Sequence, residues 1–354
     1  MTPISRRQKL ESLFPGAPSF RVKQMEQALF SATCTGFSEI STMPLSMRET
    51  LAREVPWFSL REVQIFESAK KDTYKAVVET ADEKRVETVL MKNARDQWTV
   101  CVSSQVGCAM ACTFCATGTM GFTRNLLADE IVDQVRMWNV FLEKRPNLER
   151  RISNVVFMGM GEPLANYDHV KESLRLLLTY TDIGVTRITV STVGLLPMLD
   201  KVLADPTWPA VRLAVSLHSA DSKTRKEMMP SSYDGFLDRL ADWTERYFAA
   251  FGRPEAGGAR RHLTFEYVML SKVNDTRMHA TALIAFARRV GKVRINLIPY
   301  NFTGSVYRDS LPGDFEAFQR ELENAGVVVT RRRTMGDDIA AACGQLVVEK
   351  NIVS

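Results

Sequence analysis

From residue 98 onward one pattern recurs: a short apolar run rich in β-branched residues, a glycine-rich or polar stretch, then apolar residues at helical spacing. The runs fall at 98–102, 154–158, 187–190, 211–215, 263–269 and 293–298. Runs that are continuous rather than alternating predict strands buried on both faces, as in a parallel sheet. Between the runs, Ile131, Val135, Trp138 and Leu142 advance by steps of four, three and four residues, and Leu237, Leu240 and Trp243 repeat that step within 236–251. Each set covers one face of a helix. Six alternations of strand and helix predict an α/β fold of parallel units, a barrel or a partial (β/α)6 barrel.

Residues 1–94 do not continue the pattern. The segment 21–30 reads as a short amphipathic helix, and 74–89 as a hairpin turning at Asp82, Glu83 and Lys84. The expected organisation is a small accessory domain over 1–94, helices first and short strands after, followed by the barrel and a C-terminal segment over 95–354. The irregular stretch 252–261 reads as a mobile surface loop.

In β/α barrels chemistry gathers in the loops after the strands. Here those loops carry a cysteine cluster after the first strand, Gly159, Gly161 and Glu162 after the second, and Ser191 and Thr192 at the end of the third. Ser216, Leu217 and His218 close the fourth, and Asn301 follows the sixth. Five loops therefore converge on one face.

Composition narrows the class. The chain has 354 residues, 45% of them apolar, enough for a sizeable core. No apolar run approaches the roughly 20 residues a membrane span needs, and the charges at the start have no apolar stretch behind them to act as a secretory signal. Six unevenly spread cysteines fit a reducing compartment better than a disulfide framework, so a cytoplasmic protein is expected. The net charge of +5 is mild. Its clusters at Arg331–Arg332–Arg333, Arg260–Arg261 and around Arg6, Arg7, Lys9, Arg21 and Lys23 suit either solvated faces or phosphate contacts.

Cys108, Cys112 and Cys115 form a C-x3-C-x2-C triplet. A structural zinc site wants four ligands, usually as two pairs, and no second pair follows. The other cysteines are Cys34, Cys101 and Cys343, and the histidines are scattered. A cubane iron-sulfur cluster usually takes four cysteines, so three from one loop leave an iron open to a small molecule. Free thiols or a zinc knuckle are the alternative. By pattern alone Cys101 reads as a buried strand cysteine, Glu87 as a solvated strand residue and His218 as a core histidine.

Beyond the triplet, the chain contains V-E-T-V at 86–89, C-V-S-S-Q-V-G-C-A-M-A-C-T-F-C at 101–115, G-F-T-R-N-L at 121–126 and G-M-G-E-P-L at 159–164. S-L-H at 216–218, E-Y-V-M-L at 266–270, N-L-I-P-Y-N at 296–301 and G-D-D-I-A-A-A-C-G-Q-L at 336–346 follow. With these it resembles, over nearly its whole length, the RlmN/Cfr family of radical S-adenosylmethionine (SAM) RNA adenine methyltransferases. The resemblance implies a radical SAM partial barrel with a 4Fe-4S cluster on Cys108, Cys112 and Cys115. It implies a SAM pocket lined by Gly161, Glu162, Ser191, Ser216, Leu217, His218 and Asn301. Cys343 is implied to carry the transferred methyl group, Cys101 to pair with it in a transient disulfide, and Glu87 to accept a proton. Two SAM molecules serve each turnover in such a scheme, one as methyl donor and one as source of a 5'-deoxyadenosyl radical.

The implied substrate is carbon 2 of an adenosine in 23S ribosomal RNA, with transfer RNA as a second substrate and a flavodoxin-like electron donor; the implied state is a monomer. Carbon 8 is the rival position, and proline after G-M-G-E favours carbon 2. The chain departs from the family at M-M-P-S-S-Y (228–233), where a P-I-N-like segment is common, which bears on RNA positioning. A cluster-bearing RNA-binding redox sensor and a thiol oxidoreductase are rivals of another class. Neither accounts for both working cysteines together with the SAM-type loops.

Overall fold

The computed structural model describes residues 3–31, 33–93, 95–252, 262–291 and 293–347. The stretch expected to be a mobile loop, and Arg260–Arg261 within it, lie almost wholly outside the described residues. No described helix is long and apolar enough to cross a membrane.

Among the described residues there are twelve strands: β1 (Leu60–Glu67), β2 (Thr73–Thr80), β3 (Arg85–Lys92), β4 (Trp98–Cys101), β5 (Gln105–Gly107) and β6 (Phe122–Asn125), then β7 (Ile152–Phe157), β8 (Ile188–Thr192), β9 (Arg212–Ser216), β10 (Leu263–Met269), β11 (Arg294–Pro299) and β12 (Val328–Arg331). Ten of them form one sheet in the order β1-β2-β3-β4-β7-β8-β9-β10-β11-β12, while β5 and β6 pair separately. Every pairing from β4 to β12 is parallel. No pairing among the described residues joins β1 to β12, so the barrel is open. Helices Ala128–Glu143 and Phe236–Phe251 stand where the apolar spacing put them. They bury Ile131, Val135 and Trp138, and Leu240 and Trp243, in the main core.

Two features lay beyond the apolar pattern. β12 is a seventh parallel strand, short and largely exposed; its β-branched run 327–330 is cut off by three arginines and is absent from the predicted runs. The expected hairpin exists, but with β1 it pairs antiparallel onto the edge of β4 and shares the main core through Tyr74, Ala76 and Val89. The helices Arg6–Leu13, Phe20–Leu29 and Leu45–Glu54 instead enclose a small core of their own around Leu10, Met25, Phe37 and Leu51.

A buried ionic cluster fastens that helical part to the barrel. Arg6, 3% exposed, pairs with Asp133 on helix Ala128–Glu143 and lies 3.3 Å from Asp129. Arg136 grips the other oxygen of Asp133, and Ser59 donates to it from both N–H and hydroxyl. Burial opposes charge on Asp133, yet Arg136 and Arg6 hold its carboxyl below the usual range. Arg6 is thus spent inside the protein and is no phosphate contact.

Candidate active site

The C-terminal ends of the parallel strands open into one cleft with about 1060 Å³ of atom-free space, its solvent-open mouth included. That is room on the scale of a cofactor-sized ligand. The loop between β5 and β6 brings Cys108, Cys112 and Cys115 to its wall, with Met110 and Phe114. The loop folds back tightly: a Cβ on Gly118 would stand 2.6 Å from the Cys112 carbonyl oxygen, so only glycine fits. Thr113 anchors it to the opposite side by donating its N–H to Met228 O at 2.9 Å.

All six cysteines are free thiols. Burial raises the triplet above the usual thiol range, Cys108 to about 11. Three desolvated thiols on one wall suit a bound cationic centre, and sulfur donors select iron-sulfur centres or zinc. No three His, Cys, Asp or Glu side chains among the described residues are grouped to share one metal ion. A cubane places each thiolate on a different iron around a common space, and these three thiols line one cleft. The donor set fits a 4Fe-4S cluster better than a mononuclear ion.

Glu162 lines the cleft beside the triplet and is 2% exposed. Burial lifts its carboxyl to about 7, although the N–H groups of Val193 and Leu164 reach its two oxygens at 2.8 and 2.9 Å. A carboxylate fixed in this way in an apolar wall is a receptor for a cationic group. Gly161 sets it in place: at φ +98° a Cβ there would lie 2.5 Å from Gln105 Cβ, and Gln105 Oε1 accepts the Glu162 N–H at 2.8 Å.

Ser191, Ser216 and His218 also line the cleft. His218 adopts φ 55°, and its Nδ1 accepts the Val268 N–H at 3.0 Å. Burial lowers the imidazole to about 3, so it is neutral with its proton on Nε2. Its ring meets Phe114 edge-on, centroids 5.0 Å apart.

Leu217 and Asn301 are placed differently. Leu217 is wholly buried in the main core, its N–H donated to Glu266 O at 3.0 Å. Asn301 spends its carboxamide on the segment that carries Cys343. Its Nδ2 donates to Cys343 O at 3.1 Å, and its Oδ1 accepts from the Thr334 hydroxyl at 3.0 Å.

That segment crosses the cleft as a strap. Cys343 is solvent-accessible because it faces the open space, yet the protein around it raises its thiol, with Arg332 pulling the other way. The N–H of Ala116, next to Cys115, donates to Gly344 O at 2.8 Å, and Thr117 Oγ1 to Leu346 O at 2.6 Å. From the hairpin, Lys75 donates to Ala340 O at 3.3 Å and Glu87 Oε2 accepts the Val347 N–H at 2.9 Å. Glu87 is 1% exposed, ion-paired with Lys75 at 3.0 Å and absent from the cleft wall. Cys101, at the end of β4, is 5% exposed; burial raises its thiol strongly, and the neighbouring Cys343 adds to the effect. Asn301→Ala is expected to unpin the strap, costing about 1–2 kcal/mol of stability and, by displacing Cys343, roughly 10- to 100-fold in turnover. Thermal unfolding together with single-turnover rates checks it, and a change confined to SAM affinity would contradict it.

Arg332 and Glu266 are site residues that sequence reasoning did not assign. Arg332 lines the cleft and pairs with Glu266 at 3.1 Å, which leaves Arg331 and Arg333 exposed on either side of it. The available signal was Glu266 itself, a carboxylate inside an apolar strand run, which needs a buried partner.

An open parallel barrel whose first loop presents three thiols beside a buried glutamate defines the radical SAM class, and residues 102–282 match the Radical SAM superfamily. The chain is 40% identical over 334 residues, 94% of its length and 85% of the other protein's, to a protein of Rhodopirellula baltica designated "Probable dual-specificity RNA methyltransferase RlmN". A protein of the same designation from Chlorobium phaeobacteroides is 38% identical, with 95% of this chain and 91% of that one covered. A crystal structure of a radical SAM methyltransferase from Sphaerobacter thermophilus superposes with a TM-score of 0.84, 34% identity and 97% coverage of both chains. The chain belongs to the RlmN family of RNA methyltransferases within the radical SAM superfamily. A 4Fe-4S cluster and SAM are the cofactors that this superfamily membership implies.

Proposed function

We propose that the protein methylates carbon 2 of an adenosine in 23S ribosomal RNA, with transfer RNA as a second substrate, through a methylated Cys343. The observation that carries this reading is a fourth cysteine on the three-thiol cleft, Cys343 on the strap, with Cys101 buried in the core at the end of β4 and electrostatically coupled to it. The designation of the relatives as dual-specificity RNA methyltransferases supports two RNA substrates.

In this reading Cys108, Cys112 and Cys115 hold the cluster, and Glu162 receives the SAM ammonium. Gly161, Ser191, Ser216 and His218 shape the rest of the SAM pocket. Leu217 contributes through its backbone, and Asn301 through the strap. Adenine carbon 2 is a poor nucleophile, so direct transfer from a sulfonium has no drive, whereas a thiolate accepts a methyl group readily. Arg332 opposes the effect of burial on Cys343 and favours that thiolate. The bound cluster and a second SAM supply the 5'-deoxyadenosyl radical that activates the methyl group on Cys343. Once its carbon has bonded to the ring, the ring radical has one electron to give up, for which a cluster held by Cys108, Cys112 and Cys115 would be the acceptor. Cys101 as thiolate then attacks the Cys343 sulfur, an S–S bond forms as the S–C bond breaks, and the released methylene carbon takes a proton to become the methyl group. Glu87 accepts the ring proton. Val347 N–H holds one of its oxygens and Lys75 the other, which fixes the carboxylate beneath the strap that carries Cys343. The accessory helices of the 1–94 segment, with their separate core, offer RNA a further surface, and a flavodoxin-like donor supplies electrons to the monomer in the cytoplasm.

Anaerobic reconstitution, followed by incubation with SAM, reductant and an unmodified ribosomal RNA fragment, tests the reading by mass spectrometry of the nucleosides. 2-Methyladenosine is expected. 8-Methyladenosine would move the assignment to the rival position, and deoxyadenosine without a methylated base would sink RNA adenine as the substrate.

A further inference from the structure

Helix Ser222–Met228 carries an arginine that the chemistry above does not use. Arg225 is 1% exposed, and no carboxylate among the described residues pairs with it. Its Nε donates to Leu217 O at 3.1 Å, and one terminal nitrogen donates to Val193 O at 2.8 Å and Ser216 O at 3.2 Å. The guanidinium lies over the Phe236 ring, 3.7 Å from its centroid. Three neutral carbonyls at the ends of β8 and β9 satisfy hydrogen-bonding capacity but leave the charge uncompensated. A buried charge without a partner is strongly destabilising.

The missing anion can be located. Met228, one turn along the same helix, accepts both the N–H and the hydroxyl of Thr113, at 2.9 and 3.1 Å. Met228 and Met229 pack in one apolar cluster with Cys112. Two of the three carbonyls that hold Arg225 belong to Val193 and Ser216, which line the cleft. The cation therefore stands directly behind the wall, against the loop of three thiols. Burial pulls Arg225 down to about 9, and Cys112 is the leading group that opposes the pull.

We propose that Arg225 is the fixed counter-charge of the iron-sulfur cluster, a positioning residue that favours its reduced state and its retention. The inference rests on the assignment of the three thiolates as cluster ligands. A 4Fe-4S core of charge two-plus with three thiolates sums to one negative charge, and to two after one electron enters. A buried cation stabilises the second state more than the first, so it raises the reduction potential. Reductive cleavage of SAM begins with that electron, so Arg225 eases the entry step without touching substrate.

The test uses the full chain, reconstituted anaerobically, with redox titration followed by electron paramagnetic resonance in the absence of SAM, and with iron and sulfide counts. Arg225→Gln is expected to move the midpoint to more negative potential and to release iron faster to a chelator. Arg225→Lys, which keeps the charge, stays near the wild type. Phe236→Leu keeps the cation but loosens its seat. It gives a smaller shift in the same direction, readable even if circular dichroism shows that the Gln variant does not fold.

A Gln or Leu variant with the wild-type midpoint overturns the proposal. So does a Lys variant shifted as far as Gln, which would make the role one of shape. A Gln shift that emerges only after SAM is added would assign Arg225 to the SAM carboxylate instead and also overturn it. Wild-type protein that takes up no cluster would sink the ligand assignment beneath it, so the two failures are distinguishable.

Discussion

Cys343→Ala is expected to lower methyl transfer to RNA by at least about a thousandfold, while cluster uptake and reductive cleavage of SAM persist. The substitution removes one sulfur and little else. The strap around it is held through backbone groups that alanine retains: Cys343 O accepts from Asn301, Gly344 O from Ala116 and Leu346 O from Thr117. The cluster loop keeps its own anchor on Met228. Loss of product together with continued formation of deoxyadenosine would therefore assign the thiol itself. Chromatography of deoxyadenosine and mass spectrometry of methylated nucleosides on one sample read both halves. Product at the wild-type level in the variant would end the methyl-cysteine reading, whatever else the enzyme does.

The complementary substitution has the opposite signature. Cys101→Ala should still accept the methyl group on Cys343 and still join it to the RNA, but it lacks the thiol that releases the joined product. A protein–RNA adduct stable to denaturant is expected, at up to one per cluster-loaded chain, with multiple turnover lost. Cys101 is buried at the end of β4, between Val89 of β3 and Val156 of β7, so trading its sulfur for a methyl leaves a small void costing about 1 kcal/mol. A folded, cluster-loaded variant is therefore within reach. Denaturing gels with labelled RNA detect the adduct. Free methylated RNA at the wild-type rate, without an adduct, would remove Cys101 from the reaction.

Arg331 to Arg333 show where reading along the chain loses information. As three adjacent cations they suit either a solvated face or phosphate contacts as a unit. In β12 and just beyond it they alternate in direction: Arg332 turns in across β11 to Glu266 of β10, while Arg331 lies over the Phe315 ring and Arg333 is exposed. Arg6, equally exposed by pattern, is consumed by Asp129 and Asp133, more than 120 residues away. Ion pairs between such distant residues leave no periodic trace, because nothing local requires them.

The parallel strands and the two long amphipathic helices were legible because their burial imposes a period on the chain, and the thiol triplet because ligation by one loop imposes a spacing. Local constraints of this kind are written in consecutive residues. The sequence by itself thus determined the α/β alternation, the loops that carry the chemistry and the family. Only the tertiary structure decided how the pieces share work: that the hairpin extends the barrel sheet, that Glu87 and Asn301 clasp the strap, that Leu217 belongs to the core, and that Arg332 and Arg225 bring charge to the cleft from elements far apart in sequence. The physical reason is that the partner of a buried polar group is chosen by proximity after folding, and proximity across a barrel is set by the whole sheet at once.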